Sequence, residues 1–249
     1  MHDRLDADPL NRYVPGLVAS IQFVGAGIYT VPEAARLSRV SAARIRRWLK
    51  GYDFKVTRDR HHSDPIWLGQ LDALDGRMAV GFCDLIEIRF VAAFISRGVS
   101  WKTMRRAHAA AQQKLSTIHP FCTNHFVTDG RTILLEQGQT DGDRVLIDLT
   151  NNQQEFDRIV HPFLQELEFA DETALVRWWP MGKQRAVVLD PGRNFGQPSA
   201  PTAGVPTRVL ARSVKANGGS VELVARWYEV SVDEVRDAVE FEAGLANAA

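Results

Sequence analysis

The chain has 249 residues, of which 45% are hydrophobic and 24% are charged, and its formal net charge is zero. This composition is that of an ordinary globular protein, with room for one large domain or two to three small ones. No stretch approaches the roughly 20 apolar residues that a membrane-spanning helix needs, and the N-terminal residues lack the pattern of a secretory signal. We therefore expect a cytoplasmic protein with no membrane partner.

Cysteine is scarce in the chain and offers no obvious metal site. Cys83 and Cys122 are far apart in the sequence and neither has a CxxC partner, which excludes a disulfide framework and predicts two buried thiols. His119, Cys122 and His125 are spaced three apart, but Pro120 interrupts them and a fourth ligand is missing. We therefore expect neither a metal nor another cofactor.

Motifs of catalysis are also missing from the sequence. It contains no GxSxG, no P-loop, no GxGxxG after a strand, and no pair of carboxylates on one predicted helix face beside a histidine. The sequence therefore predicts a protein that is not an enzyme.

The charges are distributed unevenly along the chain. Residues 30–62 carry nine basic side chains against three acidic ones, a net charge of +6. Residues 129–249 carry twelve basic side chains against nineteen acidic ones, a net charge of −7. This asymmetry indicates a basic contact surface near the N-terminus and a different role for the other end.

The basic segment begins with the signals of two short helices. Thr30 is a candidate N-cap, Pro32 suits the first turn, and Glu33 completes a capping box with Thr30. A tight turn at residues 38–40 follows, and Ser41 can cap a second helix over residues 42–50. The spacing therefore predicts two helices joined by a three-residue turn.

The second of these helices has one apolar face and one basic face. Ile45, Trp48 and Leu49 are spaced i, i+3 and i+4, so they face the core. The basic residues are then left outside the core, as a DNA-recognition helix requires. These are Arg44, Arg46, Arg47 and Lys50.

Two extended runs follow, at residues 54–58 and 65–68, around the polar loop of residues 59–64. They predict a hairpin with a basic tip, so the whole of residues 30–68 predicts a winged helix-turn-helix. Arginine suits such a surface because its planar fork pairs with guanine edges or phosphate oxygens. The alternative is a helical subdomain whose arginines are merely solvated. The predicted DNA contacts are Arg39, Ser41, Arg44, Arg46, Arg47, Lys50, Lys55, Arg58, Arg60 and His61.

Residues 29–49, YTVPEAARLSRVSAARIRRWL, resemble the N-terminal helix-turn-helix of the MerR-type winged-helix family, and residues 80–115 look like its following helix pair. The resemblance implies DNA binding. That family's long dimerisation helix and its effector-binding cysteines are absent, which argues against a metal- or drug-sensing role.

The middle of the chain has the pattern of short strands. Residues 155–168 are expected to form a helix interrupted at Pro162. The remaining alternating runs predict a small β-rich segment over residues 119–190. These runs are residues 126–128, 132–136, 144–148, 175–179 and 186–189.

The C-terminal part is predicted to be helical after a connector rich in proline, glycine and serine at residues 190–206. Ser220 can cap one helix, and Ser231 with Glu234 forms a capping box for the last one. The predicted fold class is α+β, mostly helical. The predicted domains are the winged helix-turn-helix at 1–118, the β-rich segment at 119–190 and a three-helix domain at 191–249.

Residues 204–242, from GVPT to VEFE, resemble a small three-helix domain of bacterial antitoxins encoded beside PIN-like toxins. The order of parts along the chain resembles the large VapB-type antitoxins of mycobacteria. The resemblance implies an antitoxin of a type II toxin-antitoxin system that binds operator DNA and a PIN-like ribonuclease toxin. Helix-turn-helix proteins read half-sites with two-fold symmetry, so we also expect a homodimer, with the C-terminal helices as the candidate contact. The predicted partner contacts are Arg208, Arg212, Trp227, Asp233, Glu234 and Asp237.

Two other functions remain open from the sequence. One is a MerR-like one-component transcription regulator whose middle segment binds a small ligand. The other is an interaction module whose basic helix contacts protein. A neighbouring PIN-like reading frame would favour the antitoxin, and a copurified small molecule would favour the ligand-responsive regulator.

Overall fold

The computed structural model describes residues 25–57, 59–170 and 174–246. Most of these residues are helical, and their strands pair into antiparallel two-stranded sheets, which confirms a mostly helical α+β fold. No helix among the described residues is long and apolar enough to cross a membrane.

The N-terminal part begins with strand β1 (Tyr29–Thr30), which leads directly into helix α1 (Val31–Ser38). The predicted capping box is confirmed, since the Glu33 N–H donates to the Thr30 hydroxyl and Glu33 accepts from the Thr30 N–H. Arg39 ends α1 with a φ of 57°, and Ser41 caps helix α2 (Ala42–Lys50). The two helices and the short turn between them are therefore as predicted.

The hairpin after α2 has a different register from the predicted one. Strand β2 (Tyr52–Val56) pairs with β3 (Asp59–Ser63), so the polar run predicted as a loop is itself a strand. Ile66 and Trp67, predicted as the second strand, are buried, and the Ile66 N–H donates to the Trp48 carbonyl. They fill the core beneath α2 because burying their apolar area is worth more than pairing them at an exposed hairpin.

Strand β4 (Ala79–Val80) pairs with β1 and leads into helix α3 (Phe82–Ile95). Helix α4 (Trp101–Leu115) follows, and the Ser100 hydroxyl caps it by accepting from the Thr103 N–H. Most of the α3 side chains are buried, so this helix is the centre of the main core. A short 3-10 turn, Pro120–Cys122, then packs against α3 and α4.

The prediction of a β-rich middle segment is wrong. The runs at residues 126–128, 132–136 and 144–148 lie in helices, because tertiary packing overrides the local strand preference of their β-branched residues. The predicted interruption at Pro162 is also absent, since the last helix of this part continues through it. The helices are α5 (Asn124–Asp141), α6 (Arg144–Asn151) and α7 (Gln153–Glu166).

The strands of the middle part are limited to β5 (Leu167–Phe169) and β6 (Leu175–Trp178) within the described ranges. The predicted strand at residues 186–189 contributes isolated bridges, in which Leu189 pairs with Trp178 and Val188 with Ser199. The main hydrophobic cluster extends from the N-terminal helices to Leu189. The N-terminal and middle parts therefore share one core.

The connector at residues 190–206 is packed against the start of the chain. The buried Tyr29 hydroxyl donates to the Gly196 carbonyl at 2.7 Å, and the Ile28 N–H donates to the Phe195 carbonyl at 2.9 Å. Gly196 has a φ of +77°, and a Cβ there would lie 2.4 Å from the Tyr29 hydroxyl oxygen. Glycine therefore permits this close approach.

The C-terminal part consists of helices α8 (Thr207–Ala216), α9 (Val221–Tyr228) and α10 (Val232–Ala246). Ser220 caps α9, and Ser231 forms the predicted capping box with Glu234. These helices pack around their own hydrophobic cluster, which includes Leu210, Val224 and Val235.

Candidate nucleic-acid interface

Helix α2 is held to the core by one face and leaves the other in solvent. Ile45, Trp48 and Leu49 are buried, as their spacing predicts. The Ser41 hydroxyl accepts from the Arg44 N–H at 3.4 Å, which fixes the start of the helix. The predicted basic residues all lie on the exposed face, namely Arg44, Arg46, Arg47 and Lys50.

The cations of this face are not engaged in ion pairs within the described part of the chain. Arg44, Arg46 and Lys50 have no ion pair or side-chain hydrogen bond there, and the Arg47 guanidinium lies 5.3 Å from the centre of the Tyr52 ring. Arg39, at the turn before α2, is also exposed. Positive charge that the protein leaves unpaired is available to phosphate or base edges.

The hairpin β2–β3 differs from α2 in that some of its charged side chains are paired with one another. Asp53 accepts hydrogen bonds from Arg60 at 2.9 Å and from His62 at 2.8 Å. These contacts, first the one from His62, hold the pKa of the Asp53 carboxyl below its ordinary value. The one carboxylate on β2 is thus neutralised by its own hairpin, which limits repulsion of a nearby anion.

Several other hairpin residues are exposed beside this pair. The ring of His61 stacks on that of Phe54 with centroids 5.5 Å apart, and Phe54 is 40% exposed. Lys55 lies opposite Arg60 across the hairpin, so two cations share its outer end. The structure therefore places the predicted hairpin residues Lys55, Arg60 and His61 in solvent, while the predicted contact Arg58 lies outside the described residues.

A buried carboxylate holds the loop after the hairpin against helix α3. Asp84 accepts from the indole N–H of Trp67 at 2.9 Å, from the Gln70 N–H at 2.9 Å and from the Gly81 N–H at 3.0 Å. Burial raises the pKa of Asp84 in spite of these hydrogen bonds. The loop after the hairpin is thereby fixed against the core, which sets the position of the basic surface.

A second buried network joins α3 to α4 and the 3-10 turn. One Glu87 oxygen lies 3.0 Å from His108 Nε2 and 3.1 Å from His119 Nδ1, while the other accepts from the Phe121 N–H. Burial opposes the charged form of His119, but Glu87 outweighs it and raises the pKa of His119 to about 9. Sequence spacing does not reveal this network, because its members are brought together only by tertiary packing.

No group of histidine, cysteine and acidic side chains in the described part of the chain could hold a metal ion. His119 and Cys122, weighed above as possible ligands, have other partners: His119 contacts Glu87, and the Cys122 thiol donates to the Cys83 carbonyl. Cys122 is buried as predicted, whereas Cys83 is only half-buried.

Two of the predicted partner residues line a groove of about 600 Å³ between α1, α8 and α10. Arg208 and Arg212 are exposed on α8, and Lys215 follows them one turn later. On the other side lie Arg36 and the apolar Leu37 of α1, and the lining also includes the carboxylates of Glu33 and Glu242, so four cations stand against two anions. The groove is therefore basic with an apolar part.

The other partner residues divide into two groups. Trp227 is 57% exposed, and Asp233 is exposed with Arg236 at 3.4 Å. Glu234 and Asp237 are buried, which corrects the prediction that they face a partner. Glu234 caps the start of α10, and Asp237 binds a neighbouring loop.

No protein-family model matches the chain. The chain is 27% identical over 226 residues to the Mycobacterium tuberculosis protein named "Putative antitoxin VapB45", and the alignment covers 86% of this chain and 92% of that protein. Its fold is similar to the crystal structure of Rv2018 from Mycobacterium tuberculosis, with a TM-score of 0.67 and 26% identity. That similarity covers 85% of this chain and 96% of the solved chain.

Proposed function

We propose that this chain is a non-enzymatic antitoxin of a type II toxin-antitoxin system. It binds operator DNA through a winged helix-turn-helix formed by α1, α2 and the hairpin, and it neutralises a PIN-like ribonuclease toxin through its C-terminal part. The observation that carries the proposal is the row of exposed, unpaired cations on α2. The antitoxin name of the distant relative, which matches most of the chain, supports the same function.

The operator-binding role follows from the geometry of α2. A helix that is anchored by Ile45, Trp48 and Leu49 can enter a major groove without rearranging, since its basic face is already in solvent. The hairpin then contacts the flanking backbone with Lys55 and Arg60. The site therefore divides into base-reading residues on α2 and phosphate-binding residues on the hairpin.

Fluorescence anisotropy at fixed salt tests this assignment, with a labelled duplex taken from the region upstream of the gene. The variant Arg44→Ala/Arg46→Ala/Arg47→Ala is expected to lose about 1–3 kcal/mol of binding free energy for each arginine that contacts a base in bidentate fashion. The control Lys114→Ala/Arg158→Ala/Arg226→Ala removes three exposed cations from other helices. Equal affinity of the two triple variants would exclude α2 from the interface.

The toxin-binding role is assigned to Arg208 and Arg212. A PIN-like ribonuclease holds its metal with a cluster of carboxylates, so an arginine from the groove can pair with those carboxylates and compete with the metal. Trp227 supplies an exposed aromatic side chain on α9, a residue type enriched in binding hot spots. Asp233 remains the exposed acidic contact at the start of α10.

Co-expression with the product of a neighbouring PIN-like reading frame tests the second role. The variant Arg208→Glu/Arg212→Glu is expected to lose capture of the toxin while it keeps operator binding, and Arg158→Glu/Arg226→Glu is the matched control. Undiminished capture by the α8 variant would place the toxin site elsewhere. Failure of the wild-type chain to bind that product would contradict the antitoxin function itself.

We also propose a homodimer, because helix-turn-helix proteins read paired half-sites with two-fold symmetry. Light scattering at micromolar concentration is expected to give twice the mass of the chain. A monomeric mass for the full-length protein would contradict this.

A cavity of about 620 Å³ keeps the ligand-responsive regulator as a second candidate function. Arg39 of the helix-turn-helix, Arg89 and Trp178 line it together with Phe241 of α10. Native mass spectrometry of the purified protein would reveal a stoichiometric small molecule if this function holds. Ala93→Leu, which narrows the cavity, is then expected to abolish binding of that small molecule.

A further inference from the structure

Two cysteines that are 39 positions apart in the sequence meet at the N-terminal end of α3. The Cys122 thiol donates to the carbonyl oxygen of Cys83 at 3.3 Å, and the two thiols are close enough to shift each other's pKa. Both cysteines are free. The fold thus holds two reduced sulfur atoms side by side, in a place that no function proposed above uses.

The two thiols differ in access. Cys83 is half-buried, whereas Cys122 is only 3% exposed, so Cys83 is the more accessible of the two residues. Cys83 is the second residue of α3. Its own N–H donates to the Gln70 side chain at 3.2 Å, which fixes the backbone there.

The electrostatic surroundings separate the thiols further. The hydrogen bond from Cys122 lowers the pKa of Cys83, and the nearby charge of His119 acts in the same direction, against burial and the carboxylates Glu87 and Asp84. Burial raises the pKa of Cys122. At neutral pH the accessible sulfur therefore carries more thiolate than the enclosed one, which is the arrangement of a reactive cysteine beside a resolving cysteine.

We propose that Cys83 is a site of oxidation by hydroperoxides and that Cys122 resolves it to an intramolecular disulfide. The Cys83 thiolate attacks a peroxide oxygen, so that an S–O bond forms, the O–O bond breaks, and the departing alkoxide or hydroxide takes up a proton. The sulfur is oxidised by two electrons and the peroxide is reduced by two.

The second step consumes the sulfenic acid formed on Cys83. The Cys122 sulfur attacks it, the S–S bond forms, the S–O bond breaks, and the hydroxide leaves with the Cys122 proton as water. Two thiols and one hydroperoxide thus give one disulfide, one alcohol and one water, or two waters from hydrogen peroxide. The proposal is independent of operator and toxin binding.

Alkylation of the reduced wild-type protein is the first test, because it needs no variant. With limiting iodoacetamide at pH 7, Cys83 is expected to react at least ~10-fold faster than Cys122, and unfolding in urea should remove the difference. Equal rates in the folded protein, or a faster Cys122, would overturn the proposal.

Peptide mass mapping under non-reducing conditions is the second test, after treatment of the full-length protein with hydrogen peroxide. A Cys83–Cys122 cross-link that dithiothreitol reverses is expected in the wild type. Cys122→Ser should instead yield a dimedone adduct on Cys83, and Cys83→Ser should yield no adduct. Absence of both the cross-link and the adduct, or cross-links only between chains, would overturn the proposal.

Discussion

Helices α2 and α10 carry opposite charge and use it in opposite ways. The cations of α2 point into solvent without ion pairs in the described part of the chain. On α10, Glu234 accepts from the Thr202 N–H, and Asp237 binds both Arg185 and the Ala186 N–H. A charge in solvent is available to a partner, whereas a buried charge is committed to the fold. The net charge of a segment therefore does not show whether its charged side chains are free to bind a partner or are paired within the fold.

Asp237→Ala is expected to have the largest effect on stability. It leaves the Ala186 N–H without an acceptor and removes the Asp237–Arg185 contact, which measures 2.8 Å. Breaking a buried ion pair is costly, and the partial exposure of Arg185 reduces that cost to about 2–3 kcal/mol. Urea denaturation measures the change in the free energy of unfolding.

Asp233→Ala is the matched control for Asp237→Ala on the same helix. The Asp233 side chain is 84% exposed, so its removal should change stability by less than about 0.5 kcal/mol. Similar losses in the free energy of unfolding for the two variants would show that the buried and the exposed carboxylates of α10 contribute equally to stability.

The contact between the two ends of the chain gives the next prediction. Gly196→Ala places a Cβ 2.4 Å from the Tyr29 hydroxyl oxygen and also strains a positive φ, so we expect a loss of about 2 kcal/mol. Gly218→Ala shares the positive φ but has nothing within 4 Å of the new Cβ. The difference between the two melting curves isolates the clash, and identical curves would show that the contact with Tyr29 contributes nothing.

The two regions should also differ in their response to pH. The pKa of His119 is raised from 6.5 to about 9. The contribution of its protonated form to the free energy of unfolding is therefore fully present below pH 6.5 and is lost as the pH rises through 9. We expect this loss to be roughly 2 kcal/mol in the wild type and to vanish in His119→Gln. A wild-type stability that stays flat between pH 6.5 and 9 would contradict the assigned role of Glu87.

Glu234 gives the opposite pH dependence. The pKa of Glu234 is lowered, because hydrogen bonds from the Ser231 and Thr202 N–H groups outweigh the effect of burial. The contribution of the Glu234 carboxylate to the free energy of unfolding is therefore present above pH 4.5 and is lost as the pH falls through the pKa of the folded state. Glu234→Gln should therefore be less stable than the wild type at neutral pH. Its free energy of unfolding should also change less than that of the wild type as the pH falls below 4.5.

Lys50→Ala should have the smallest effect, and it bears on DNA binding alone. If Lys50 contacts a phosphate, the slope of log affinity against log salt should fall by about 1, with stability unchanged. Lys114→Ala is the control, since Lys114 lies on α4 and pairs with Glu136 of α5, outside the helix-turn-helix. An unchanged salt slope would restrict DNA contact to the arginines of α2.

Local chemistry explains what the sequence could predict. The caps at Thr30, Ser41, Ser220 and Ser231 are confirmed, because a cap depends on a side chain and a backbone group three residues away. The exposed face of α2 is confirmed for the same reason, since helical spacing alone decides it.

Non-local packing explains what the sequence could not predict. The run at residues 132–136 contains Ile133 and Leu134, which look like a strand in isolation but are buried in α5. The acidic residues of α10 have the spacing of a solvated face, and only the arrival of Arg185 from another part of the chain buries Asp237. The Glu87 network likewise needs three separate segments to meet.

The bond between Tyr29 and Gly196 also sets an order of events during synthesis. Its partners are 167 positions apart, which a ribosome adding about 5–20 residues per second covers in roughly 8–33 s. Throughout that interval the nascent N-terminal helices have a tyrosine hydroxyl whose acceptor has not been made. A premature stop codon before residue 196 therefore releases a chain whose first helices are complete in sequence but lack this hydrogen bond.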